Sequence, residues 1–222
     1  MYIFPVHLLP PLAIEREPRD LALSGGTALT GDTDVILSDG GGRWEIEYNG
    51  IELVTPDDLR VWDAWTAYLS GGVNPCLVPL LTLATGPRPK VAGRPLRPSG
   101  LYVDDDEWPT EMRYSVADHE ARISAAAALR ATQVEILVDK GPAIKSGHHF
   151  GVGADRAYRV VRPLGANLFS ILPPLRSAVD EDTAADFHFP LVRAKLDPQF
   201  RPGASLYGAK YGTVSLRFLE AF

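Results

Sequence analysis

The stretch from Gly141 to Arg176, GPAIKSGHHFGVGADRAYRVVRPLGANLFSILPPLR, constrains the fold most, because it reads as short strands hinged on tight turns. Phe150 to Gly153, Ala157 to Arg162 and Leu168 to Leu172 are apolar and β-rich, with Gly147, Gly153-Ala154-Asp155 and Gly165-Ala166-Asn167 supplying the breaks. This spacing builds a small barrel or sandwich and sets out no arrangement of catalytic side chains. The 19 prolines and 20 glycines extend the same character to the whole chain, since they lie in loops between short strands and mark no solenoid or propeller period.

In the first region, up to about Leu83, the clearest strand is Arg43 to Ile51. Trp44, Ile46 and Tyr48 alternate there with Arg43, Glu45 and Glu47, so one face is buried and the other wet. Thr33 to Ser38 is a second strand, and the turn Asp39-Gly40-Gly41-Gly42 is expected to join the two as a hairpin. Leu12 to Glu15 reads as an edge strand hemmed by Pro10, Pro11 and Pro18. Thr55 to Ser70 is the one strong helix: Thr55 fits the N-cap, Pro56 the first turn, Asp57 and Asp58 the positive end of the dipole, and Gly71-Gly72 the stop. Trp62 and Trp65 fall on its apolar side and are read as domain or subunit packing. A strand from Cys76 to Leu83 follows.

From Thr85 to Gly100 four prolines, three glycines and four basic residues, Arg88, Lys90, Arg94 and Arg97, exclude a regular element. Asp104, Asp105, Asp106 and Glu107 then reverse the sign. Each run alone reads as a solvated loop; together they suit a head-to-tail contact between identical subunits.

The second region begins near Ser115. Its alanine run, Ala121 to Ala131, favours helix by propensity, but the alternation of Ile123, Ala125, Ala127 and Leu129 and the clear strand Gln133 to Asp139 favour strand through both. The strands of the opening stretch, the acidic turn Asp180 to Asp182, and Phe187 to Lys195 complete an antiparallel barrel, whose closure removes exposed edges. The terminal segment Gly212 to Phe222 alternates Val214, Leu216 and Phe218 on one face and needs a sheet to lie in. The sheet of the first region is the available one, which makes that domain discontinuous, with the barrel inserted.

Chemistry is sparse. A net charge of −6 gives no footprint for nucleic acid. The apolar stretch Leu77 to Ala84 is interrupted by Pro79 and falls short of the roughly 20 residues that cross a bilayer. The proline-bearing N-terminus has no basic n-region, so no secretory signal is expected. Cys76, the sole cysteine, fits a small buried hydrophobe in a cytosolic setting. Adjacent His148 and His149 on a strand point to opposite faces and lack metal-site spacing, so both are expected at the surface or a strand end. The run Asp104 to Glu107 lacks the alternation and glycine of a calcium loop. Gly151-Val152-Gly153 lacks the third glycine and the helix of a dinucleotide site, and no nucleophile elbow occurs. No catalytic residue, cofactor or metal is expected.

The segments SDGGGRWEIEY, DLRVWDAWTAYLSGG and PCLVPLL, followed by SGHHFGVG, AYRVVRPL, FSILPPLRSAV, DFHFPLVRAKL and the terminal YGTVSLRFLEAF, resemble the distal tail proteins of tailed bacteriophages. The resemblance implies a virion structural protein made in the host cytoplasm. It would form a ring, usually of six copies, joining the tail tube protein to the tip hub and tape-measure-associated proteins. It also implies a mainly β fold: a sandwich-like domain with one helix (1–100 and 196–222) carrying an inserted barrel of oligonucleotide/oligosaccharide-binding type (115–195). A carbohydrate-binding module using Trp108 and Tyr114, or another tail-tip subunit, is the alternative.

Overall fold

The computed structural model describes residues 1–19, 22–27, 29–31, 33–37, 41–82, 86–87, 90–91, 94–95, 119–200, 205–207 and 211–222. In chain order the elements are β1 (Ala13–Arg19), β2 (Ala22–Thr27), β3 (Thr33–Leu37), β4 (Arg43–Leu53), α1 (Pro56–Leu69), β5 (Cys76–Pro79), β6 (Lys90–Val91) and β7 (Arg94–Pro95). There follow β8 (Glu120–Ile123), β9 (Gln133–Lys140), β10 (His149–Val152), β11 (Arg156–Pro163), β12 (Leu168–Leu172), β13 (Ala185–Asp186), β14 (Leu191–Leu196), β15 (Ser205–Tyr207) and β16 (Tyr211–Glu220). Among the described residues the fold is mainly β, as expected: a sheet domain with one α-helix, completed by the C-terminal strand, and a small antiparallel barrel.

The first sheet runs β1-β4-β16-β14-β5, with β15 also paired to β16. Trp44, Ile46 and Tyr48 are fully buried, and beyond Gly50 the buried phase shifts by one, to Ile51 and Leu53. The cause is a bulge: Val214 and Leu216 of β16 stand opposite Ile51 and Tyr48, so β4 carries an extra residue there, and Gly50 takes it up at φ 70°. Val214, Leu216 and Phe218 of β16 and Val192, Ala194 and Leu196 of β14 complete that buried face, against Phe4, Leu9 and α1.

The helix forms where its caps predict. The Thr55 hydroxyl accepts from the Asp58 amide (3.2 Å) while the Asp58 carboxylate accepts from the Thr55 amide (2.8 Å), and Ser70 closes the helix in the left-handed region. Those hydrogen bonds hold the Asp58 carboxyl below the usual carboxylate range. Thr55→Ala is expected to lower stability by about 1 kcal/mol, read as a smaller urea midpoint with unchanged slope.

Several expectations are corrected. β3 pairs with β2, whereas β4 pairs with β1 and β16, so Thr33 to Ser38 and Arg43 to Ile51 do not form a hairpin with each other. The alternating apolar face of β4 is claimed by longer-range partners. β1 runs on to Arg19 as an edge strand that tolerates Pro18. A two-residue ladder, Lys90↔Pro95 and Val91↔Arg94, stands where no regular element was expected. The alanine run is strand only to Ile123; Ala127 then makes a single bridge to Val179 and Arg130 turns the chain at φ 66°.

The second sheet runs β13-β10-β11-β12-β9-β8. It nearly closes where Arg122 of β8 bridges Ala184 beside β13, and the Arg122 guanidinium bonds Asp139 of the neighbouring β9 and Asp182 across the gap. Ile123, Val134, Ile136, Phe150, Tyr158, Val160, Phe169, Ile171 and Phe187 fill its interior. The barrel boundary at residue 195 is also corrected: Leu191–Leu196 pairs with β5 and β16 in the first sheet. Its buried phase of Val192, Ala194 and Leu196 belongs to that core.

Candidate functional site

The best-built polar cluster lies where barrel and sheet domain meet. Along β10 and β11 the large side chains Phe150, Tyr158 and Val160 point into the barrel, which turns His149, Gly151, Ala157 and Arg159 outward. His149 stands opposite Arg159 and Gly151 opposite Ala157. Small residues let the sheet domain approach: Ala157 joins its core, and a Cβ on Gly151 would come within 3.3 Å of Pro190. The Trp44 indole N–H donates to the Ala157 carbonyl at 2.7 Å.

Glu220 is the charged centre. Its side chain is 2% exposed, because β16 continues the buried phase of Val214, Leu216 and Phe218 through one more step. Arg176 meets it with two hydrogen bonds, Nε to Oε1 at 3.0 Å and Nη2 to Oε2 at 2.9 Å, and the Trp44 amide donates a third at 3.0 Å. Arg176 also donates to the Gly42 carbonyl, and its backbone amide donates to the Tyr158 hydroxyl at 3.0 Å. Arg156 donates to the Ala221 carbonyl (2.9 Å) and lies 3.9 Å from Glu220. The Phe222 ring stacks against the Arg176 guanidinium at 4.8 Å. Gly41 has φ 64°, and a Cβ there would lie 2.1 Å from Pro174, so this glycine serves close approach of the two domains rather than a hairpin turn.

His149 opens β10, a strand end as one of its two expected placements had it, and is buried at this junction. Opposite faces for the adjacent histidines hold: the His148 ring faces the barrel residue Phe187 at 6.4 Å, and the His149 ring faces Trp44 at 5.7 Å. Burial, then Arg16, Arg159 and His148, push His149 down to about 3, so it is neutral. His119 is pushed down to about 4, chiefly by burial. Burial pushes the Cys76 thiol up to about 12, as suits a core residue.

The interface candidates fall in different places. Trp62, 3% exposed, is packed within the sheet domain, and Trp65 is half-buried, its ring 5.4 Å from Phe4 and 5.5 Å from Tyr68. Lys90 and Arg94 lie on the short β6–β7 ladder. Arg88, Arg97, Asp104, Asp105, Asp106, Glu107, Trp108 and Tyr114 lie outside the described residues. Trp44 is read from sequence as a core residue only, and Arg176, Glu220, Arg156 and Ala157 are not singled out, although Glu220 sits in phase with a buried stripe. Among the described residues no group of three or more His, Cys, Asp or Glu side chains could hold a metal, and no helix is long and apolar enough to cross a membrane. The chain matches no protein-family model and no curated protein.

Proposed function

We propose that this chain is a structural protein of a bacteriophage tail: a ring-forming subunit at the distal end of the tail tube, where the tube joins the tip. The hairpin β2–β3 carries the reading. Among the described residues its strands pair only with each other, and the neighbours Val35 and Ile36 are 61% and 56% exposed on opposite faces. A lone two-stranded ladder is marginal in water, and apolar side chains on both its faces are stabilised when an adjoining subunit covers them. A discontinuous sheet domain carrying an inserted barrel, the arrangement implied by the resemblance, supports it further. The net charge of −6 suits a lumen through which DNA phosphates slide without adhering.

In this reading the chain acts through contacts with further copies in a closed ring, expected to be of six, with the tube protein, and with hub and tape-measure-associated proteins. It performs no catalysis. Electron microscopy with native mass measurement tests it: a closed ring with a central hole is expected, and a strict monomer that binds a small ligand would overturn it. Reversing Arg88, Lys90, Arg94 and Arg97 to glutamate is expected to abolish ring assembly and leave a folded monomer. Unchanged elution on a sizing column would remove the charge pairing from the proposal.

A further inference from the structure

The junction contains a titratable group with no use in holding it together. His149 is 5% exposed, and neither of its ring nitrogens has a hydrogen-bond partner. Trp44 of β4 covers it, at 5.7 Å between ring centroids. The charged and titratable groups around it are Arg16 and Glu17 from β1, Arg159 from β11 and the adjacent His148. Arg16 donates to the carbonyls of Leu80 and Leu81. Arg159 is held by Glu17 at 2.9 and 3.1 Å, so that carboxylate is already committed to another cation. A proton on His149 would place a third positive charge beside Arg16 and Arg159, in a site stripped of water.

We propose that His149 is a proton-operated catch: the barrel stays docked on the sheet domain while this ring is neutral, and acidification undocks it with both domains still folded. In the undocked form the ring returns to water and to its ordinary value near 6.5. In the docked form it is pushed down to about 3. Between those values the undocked form binds more protons. Docking is therefore at full strength above about pH 6.5 and weakens as pH falls below it. From pH 7 to pH 5 the docking equilibrium drops about 25-fold. The inference concerns the single chain and stands whether or not a ring forms.

Among the N–H groups that donate across the joint are the Trp44 indole, to Ala157 (2.7 Å), and the Arg193 amide, to Asp155 (2.8 Å). Hydrogen exchange of both, followed by NMR on the full chain and expressed relative to the free-peptide rate at each pH, reads docking directly. Protection of this pair is expected to fall about 25-fold from pH 7 to pH 5, while the β4–β16 ladder and the Ile136 amide inside the barrel keep theirs. In His149→Phe the crossing pair is expected to be insensitive to pH. Unchanged protection in the native chain, a fall shared equally by the control amides, or pH sensitivity surviving in His149→Phe would each overturn the proposal. Should that variant fail to fold, titration of the His149 ring in the native chain decides. A midpoint below about 4 with the joint closed supports the catch, and an ordinary midpoint near 6.5 with both donors still protected refutes it.

Discussion

Arg176→Ala is expected to destabilise the docked molecule by about 3–5 kcal/mol, because it strands the Glu220 carboxylate in a dry site with the Trp44 amide and the distant Arg156 as its remaining partners. Loss of the Gly42 contact and of the stack on Phe222 adds to the same side. In thermal unfolding this corresponds to a fall on the order of 10 °C. The paired replacement Arg176→Met with Glu220→Met should recover most of the loss, since removing both charges also removes the cost of keeping them out of water. A single-variant loss under about 1 kcal/mol in urea unfolding would mean that the ion pair does not hold barrel to sheet.

Trp44→Ala is expected to cost a similar 3–5 kcal/mol, from the cavity left in the sheet core and from the freed Ala157 carbonyl. Trp44→Phe separates the two contributions. The smaller ring keeps most of the packing but leaves that carbonyl without its donor, for an expected loss of about 1–3 kcal/mol. Equal losses in the two variants would assign the whole effect to the hydrogen bond.

What the sequence made legible follows from how local each signal is. The caps of α1 are written within a few residues of Thr55 and Ser70, and the helix forms between them. Alternation marked β4 and β16 and the buried face of each, and the apolar C-terminal strand pointed to the first sheet as its partner. Pairing partners were harder to read. An Asp-Gly-rich turn after Thr33 to Ser38 looks local, yet β4 is held between strands from opposite ends of the chain, because burying Trp44, Ile46 and Tyr48 outweighs the convenience of a short turn. Leu191–Leu196 was misplaced for a related reason: its alternation fits either sheet, and only pairing with β5 decides between them. The junction was least legible, since it joins Trp44, His149, Ala157, Arg176 and Glu220 from separate stretches. One clue was present in Glu220, a charge in the buried phase of an apolar strand, where a cation must be brought to it.

The barrel also departs from the sheet and returns to it at one doorway. Pro79, the last residue of β5, stands directly opposite Leu191, the first of β14, so the described residues of the barrel form an excursion from two adjoining rungs. The backbone pairs of β14 with β5 and with β16 are made by residues outside that excursion. A different module could be spliced in at the same point, leaving the scaffold strands untouched, provided that it brought its own cover for Trp44 and its own counter-charge for Glu220. The architecture thus separates a fixed chassis from an exchangeable attachment, and it confines the terms of exchange to a few side chains at the seam.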